Sequence, residues 1–336
     1  MKKVKSKKGN GLIKLIALLF AISSVQLSAK TPYEFSLYGG GGYAFFMYRS
    51  LSGNASAADF NVPPQHMTDP LFMAGKTSSS GAAGDFGVGF TGFITPHFGL
   101  HVGLGLNFYN VGSKVDSLKA FEPNMRDRNG YRFNLYSTVY DYEETHQTFG
   151  LSIPLLLQFQ SGSQNLSWGR KSGTLHGFYA MTGVKLNILF GNSYKLNFAE
   201  LYNEAYYPDL DNWAKTQSFA GLSTFRGTKA DGSAGFVQAM LTLEAGLKWR
   251  VANNMYLYTG VYCDYGLNDP AQSNRTQIGE YARDVYAQIA QSGQDIHQVP
   301  QLELLEFAER ANLMVIGVKL RLALIRYYDQ MSCPQF

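Results

Sequence analysis

Taken two residues at a time, FVQAMLTLEAGLKWRV (positions 236 to 251) separates into Val, Ala, Leu, Leu, Ala, Leu, Trp, Val on one side and Phe, Gln, Met, Thr, Glu, Gly, Lys, Arg on the other. A period of two is the pattern of a β-strand, whose successive side chains point to opposite faces. The pattern recurs along the chain. Residues 98 to 109 set Phe98, Leu100, Val102, Leu104, Leu106 and Phe108 against Gly99, His101, Gly103, Gly105, Asn107 and Tyr109. Residues 178 to 190, 255 to 267 and 312 to 324 divide in the same way, and 33 to 48, 85 to 95 and 146 to 160 do so less regularly. The pattern predicts eight strands.

The connections alternate between short and long. Thr95-Pro96-His97 and Ala252-Asn253-Asn254 read as tight turns, and 161 to 175 as a modest Ser/Gly-rich link. The stretches 50 to 84, 110 to 145, 191 to 235 and 268 to 311 read as long loops. This rhythm predicts an all-β fold: an eight-stranded antiparallel up-and-down transmembrane β-barrel, with short periplasmic turns and long extracellular loops. In a bilayer only a closed barrel lets strands satisfy every backbone group. Periodicity alone does not say which face is inside. A soluble lipocalin-like barrel would turn the apolar set inward. Eight faces with almost no charge, ending in aromatics such as Trp249, Phe190, Phe108 and Phe98, favour lipid contact for the apolar set.

The N-terminus supports export. MKKVKSKK is basic, and from Gly11 to Leu27 the chain is apolar apart from Lys14 and a few small polar residues, the layout of a signal peptide with cleavage between Ser23 and Ala29. A single membrane anchor helix is the competing reading. The expected organisation is a signal peptide over 1–29, a barrel over 30–325 and a short tail over 326–336. Residues 1 to 29 hold six lysines and no acid, so the remainder carries 23 basic against 25 acidic groups. The near-neutral balance gives no reason to expect nucleic acid as a partner. Cys263 and Cys333 are too few for a disulfide-built domain, are not spaced as a metal site, and lie too far apart along the strand direction to pair.

Several segments resemble the small outer-membrane β-barrel proteins of Gram-negative bacteria, of the OmpA/OmpX barrel type: LYGGGGYAF, SIPLLLQFQ, GFYAMTGVKLNILF, LTLEAGLKWRVANNMYLYTGVYCDYGL and the closing IGVKLRLAL. The resemblance covers 33 to about 325. IGVKLRLAL is similar to the barrel-assembly signal, with Gly317 followed by Leu320 and Leu322, although about a dozen residues follow Leu324 where the signal usually ends the chain. The resemblance implies residence in the outer membrane, contact with its lipid and handling by the barrel assembly machinery. It gives no support for peptidoglycan binding, since no such domain follows the barrel in this sequence.

Inward positions include Glu34, Asp85, His101, Lys185, Glu244, Lys248, Arg250, Asp264, Lys319 and Arg321, nearly balanced in sign. An eight-stranded interior is only wide enough for side chains to fill, and buried charges must be paired. A salt-bridged plug is therefore expected, with a narrow ion-lined channel as the alternative. Of the histidines, His101 falls in the lumen, His97 in a turn, and His146 and His176 near strand ends. None has the spacing of a nucleophile, base and carboxylate constellation, so no enzyme, catalytic residue, cofactor or metal site is expected; a barrel hydrolase is the remote alternative.

The long loops carry the individual features. ELYNEAYYPDLDNW (200 to 213) mixes acids with aromatics, suited to a sugar or protein surface or to packing on itself. Asp209 and Asp211 are too sparse for a calcium site. Ile278, Tyr281, Val285 and Ile289 share a helical face, and LELLEFAERA after Pro300 reads as a second helix. Asn54-Ala55-Ser56 matches a glycosylation pattern without meaning in a bacterial protein. The expected role is non-enzymatic: structural, or adhesion to an extracellular protein or glycan through the loops, with a small-solute channel as the alternative.

Overall fold

The computed structural model describes residues 32–49, 69, 71–127, 129–161, 174–215, 224–227, 231–233, 236–252, 254–268 and 310–326. The signal-peptide segment, the first expected helix over 278–289, residues 302–309 of the second, Asn54–Ser56, Cys333 and the tail beyond 326 lie outside the described residues, while Arg310 and Ala311, expected to end that second helix, begin the last strand. The strands are β1 (Tyr33–Arg49), β2 (Leu71–Ala74), β3 (Thr77–Phe93), β4 (Phe98–Arg126), β5 (Arg132–Gln160), β6 (Thr174–Tyr207), β7 (Asn212–Ala214), β8 (Thr224–Gly227), β9 (Asp231–Ser233), β10 (Phe236–Ala252), β11 (Met255–Gly266) and β12 (Arg310–Arg326). One 3₁₀ turn, Pro208–Leu210, joins β6 to β7.

Eight of these strands form a closed antiparallel ring in the order β1, β3, β4, β5, β6, β10, β11, β12. The last pairs back to β1 over the whole length of both strands, from Tyr33 opposite Arg326 to Arg49 opposite Arg310. Closure leaves no free edge within the ring, the condition a sheet must meet to sit in hydrocarbon. The apolar positions of the two-residue pattern lie outside. Leu37, Val88, Leu104, Leu243 and Val318 are all at least half exposed, whereas the charged positions are buried inside.

Four of the ring strands, β3 to β6, extend well past the expectation. β4, β5 and β6 run for 29, 29 and 34 residues, against 17 for β1. Most of 110 to 145 and 191 to 207, expected as loops, continues as sheet, as do 77 to 84. The alternation is hidden there for two reasons. Beyond the apolar wall of the ring both faces carry polar residues, so Gly112, Lys114 and Asp116 give no apolar signal. The strands also bulge: pairing of β5 with β6 slips between Tyr140 and Glu143, where Asp141 takes a φ of 47°, and pairing of β4 with β5 slips between Glu122 and Met125, around Asn124 with a φ of 58°. Each bulge shifts the parity of the residues beyond it, and Asp and Asn are the residues that tolerate the left-handed conformation.

The three long strands thus leave the ring as a blade. Past Val115, β4 loses β3 and pairs instead with β2, and past Leu189, β6 loses β10 and pairs with β9, β8 and β7 in turn. Short strands on both sides cap edges that would otherwise offer free hydrogen-bonding groups. On the blade's inner face Phe133, Leu135, Ala205 and Ala214 pack together, fully buried or nearly so.

Candidate functional site

All ten charged or ionisable positions predicted to face inward do so, and each is buried. At the short-turn end Glu34, on β1, accepts hydrogen bonds from the Tyr258 phenol at 2.7 and 2.8 Å and from Lys248 Nζ at 3.1 Å. Lys248 also donates to Gln160 Oε1 at 2.9 Å and lies 4.3 Å from the centre of the Tyr256 ring. Arg321 donates to Gln158 Oε1 at 3.0 Å and sits 4.1 Å over Tyr258. His101 Nδ1 is 2.9 Å from the Thr91 hydroxyl.

Further along the axis the partners change but the rule persists. Lys319 lies 3.2 Å from Asp85 and 3.5 Å from Glu244, whose other oxygen accepts from Tyr179 at 2.8 Å. Lys185 pairs closely with Asp264 and lies 3.8 Å from Asp85, while Thr242 donates to Asp264 at 2.7 Å. Burying the three lysines is tolerable because each meets a carboxylate, while Arg321 has the Gln158 amide oxygen and the faces of Tyr258 and Tyr179 instead. Tyr258 and Tyr179 supply two of the polar groups around these charges, and Gln158, Gln160 and Thr242 supply others. Above this layer Asn107 and Asn187 both donate to Tyr109, and Asn187 also donates to Met240 Sδ at 3.0 Å.

Glycines make room for this filling. A Cβ on Gly105 would lie 2.5 Å from the Tyr38 hydroxyl and 2.8 Å from the Phe86 carbonyl, and one on Gly87 would lie 2.4 Å from the Leu104 carbonyl. The phenol therefore enters the lumen only because β3 and β4 lack side chains there. A cavity of about 20 Å³ remains beside Tyr38, Asp85 and Arg321. That is room for a single water molecule. Tyr38 Oη, Asp85 Oδ1 and Arg321 Nε and Nη2 have no direct protein partner among the described residues. Buried side chains thus fill the described lumen around this cavity.

At the ring's open end, on the inner face of β5, Glu144 accepts from Tyr142 at 2.7 Å and stands 2.8 Å from His146 Nε2, all three being buried. The periodicity of the sequence places His146 near a strand end; the extension of β5 puts it in mid-strand. The sequence pattern also misses Gln158 and Gln160, although the same two-residue ruler runs through SIPLLLQFQ; Pro154 and Leu156 on the inward face obscure them. Among the described residues no group of three His, Cys, Asp or Glu side chains is arranged to hold a metal ion. Cys263 is unpaired and half-buried on the outer face.

The blade's outer face carries a second cluster. Trp213 on β7 packs against Tyr206 and Tyr136 with ring centroids 5.2 and 5.0 Å apart, and Tyr136 in turn packs on Phe121 at 4.9 Å. Lys215 reaches over Trp213 at 5.2 Å and pairs with Glu204 at 3.1 Å. The Tyr206 phenol donates to Asp211 at 2.7 Å, which pushes its pKa above the ordinary value. Asp211 closes the 3₁₀ turn in the left-handed conformation. The aromatics of 200 to 213 thus pack largely on one another, with Trp213 still about a third exposed at 37%.

These features define a closed eight-stranded antiparallel barrel with an apolar wall, an ion-paired lumen and a projecting sheet. No family model matches the chain, and no curated protein matches it. Among solved structures it is similar to the outer membrane protein OprG from Pseudomonas aeruginosa, with a TM-score of 0.29 and 11% identity over 87% of this chain and 96% of that one. It also aligns with the transport unit of the autotransporter AIDA-I from Escherichia coli, with a TM-score of 0.13 and 7% identity over 93% of this chain and 96% of that one. At these scores the fold assignment rests on the strand pairing itself.

Proposed function

We propose that this protein is an integral outer-membrane β-barrel, exported by its N-terminal signal peptide, that is closed to solutes and acts without enzymatic chemistry through the sheet it raises outside the membrane. The observation that carries this reading is the inversion of polarity: large apolar side chains are exposed around the wall while paired charges fill the inside. An apolar band encircling the molecule far exceeds the few hundred Å² of contiguous apolar patch that a soluble monomer exposes. It matches the lipid-facing band of a membrane barrel.

Lipid of the outer membrane and the barrel assembly machinery are the partners this placement entails. The blade lies at the end opposite the short turns, which in such barrels is the extracellular end. Its length and its capped edges suit a rigid surface for contact or adhesion. Fractionation with gel mobility of heated and unheated samples tests the placement. The expected result is recovery with outer membranes and a fold-dependent shift; recovery in the periplasm without a shift would overturn it. Planar-bilayer recording of the refolded protein tests closure, with no steady openings expected. Reproducible conductance would make the narrow channel the function instead.

A further inference from the structure

The blade ends in a hairpin whose last pair is Arg126 opposite Arg132. Both are exposed, and neither guanidinium has an ion-pair partner among the described residues. Like charges directly opposite on a strand pair oppose folding. The adjacent Asp127 forms no ion pair with either; one of its oxygens accepts the amides of Asn129 and Tyr131, each at 2.9 Å, to close the turn with Gly130. The pair is therefore a cost to the fold at the point farthest from the barrel wall.

Arg132, Asn134 and Tyr136 alternate onto the same face of β5, and Asn134 and Tyr136 lie opposite Tyr206 and Glu204 on β6. The arginine pair and the Trp213–Tyr136 platform hence share the blade's outer face. Four residue steps take the strand from Arg132 to Tyr136, about 13 Å. One end of this track is cationic and the other is aromatic, bordered by Glu204 and Lys215.

We propose that this face binds an acidic polysaccharide from outside the cell, with a sugar ring laid on Trp213 and a carboxylate held between Arg126 and Arg132. The proposal rests on the outward orientation of the blade argued above. A sugar presents an apolar C–H face edged with hydroxyls, and tryptophan and tyrosine offer the matching combination of apolar body and polar rim. Guanidinium groups take carboxylates in a bidentate fork, and two of them facing each other await an anion. A folded protein partner would need about 800 Å² of complementary surface on each side, whereas this track is narrow and mixes single aromatics with charges. The arginines are exposed at the tip of the hairpin, remote from the ring, so the occupant approaches from solution rather than from the molecule's own leaflet.

The test is binding of a hyaluronan octasaccharide, which alternates uronic acid with an N-acetylated sugar, to the full chain in lipid nanodiscs, with neutral maltooctaose as comparison. Binding of hyaluronan at least tenfold tighter than maltooctaose is expected. The double variant R126Q/R132Q should weaken it at least tenfold and flatten its salt dependence, because the ionic part is removed. Trp213→Ala should weaken it similarly while leaving the salt dependence in place. Folding of each variant is checked by its gel shift, and the arginine variant should be no less stable than the parent, which a purely structural pair would not allow. No binding by the folded parent, equal binding of the neutral sugar, or indifference to both variants would each overturn the proposal. Labelling of an Asn129→Cys variant on intact cells by an impermeant maleimide, against the unmodified chain, tests the orientation separately. Labelling without sugar binding would remove this proposal alone, and sugar binding without labelling would remove the orientation and with it the extracellular source of the sugar.

Discussion

Glu34→Gln is the sharpest probe of the lumen. The carboxylate is fully buried and receives Tyr258 and Lys248. Glutamine keeps an acceptor for the phenol but withdraws the charge that balances Lys248, leaving the ammonium with Gln160 Oε1 and the Tyr256 ring. Removing one partner of a buried pair costs about 3 to 5 kcal/mol. Because the tyrosine bond survives, the low end applies, about 3 kcal/mol, which at a slope of ~2 kcal/mol per M lowers the urea midpoint by roughly 1.5 M. The assay is equilibrium unfolding in lipid vesicles, followed by the gel shift. Replacing both members, as in E34Q/K248M, should recover most of the loss, since a buried pair exchanged for apolar or neutral groups is often neutral. A loss under about 1 kcal/mol for E34Q, or a double variant as unstable as the sum of the singles, would mean that Lys248 is solvated and that the lumen is not a dry plug.

Charge placed on the wall distinguishes lipid from water around the barrel: Leu243→Arg should cost about 2 to 4 kcal/mol in vesicle unfolding. Tyr140→Arg, on the exposed outer face of the blade, should stay within about 0.5 kcal/mol, and equal effects at the two sites would argue against a bilayer around the ring. Gly105→Ala should lower stability by roughly 1 to 3 kcal/mol as its methyl meets the Tyr38 hydroxyl and a backbone carbonyl, with Gly105→Ala/Tyr38→Phe recovering part of it. Tyr206→Phe removes the bond to Asp211 and should loosen the 3₁₀ turn, read as faster protease cleavage near Pro208 with no change in the barrel's gel shift.

The barrel was legible because each ring strand sets an apolar outer face against a charged inner one. Along 236–251 that demand separates Leu243 from Glu244 so sharply that both the strand and its inward face follow from residue type, and Lys185, Lys319 and Arg321 were located by parity alone. Parity does not encode which charge meets which. Asp85 faces Lys319 and Lys185 from strands far apart in sequence, and the choice depends on the ring's stagger. Nor did parity reach the blade. There one face meets water and the other meets protein of mixed polarity, and the bulges at Asp141 and Asn124 reset the count. The arginine pair was unreadable for the same reason, since Arg126 and Arg132 become neighbours only once a five-residue turn and a slipped register are known.

The join of β1 to β12 has a kinetic consequence. Glu34 and Lys248 are separated by 214 positions, and Glu34 and Tyr258 by 224. Contacts so distant in sequence are formed late, because the intervening chain must be ordered before they can reward it. Until the first and last strands meet, the future lumen is an open sheet whose lysines and carboxylates still need water. Assembly therefore has a natural final step, in which zipping of the seam, expulsion of that water and pairing of the charges coincide. A barrel built this way should pass from loosely associated to locked in one transition, with the seam, rather than any single crossing, setting its pace.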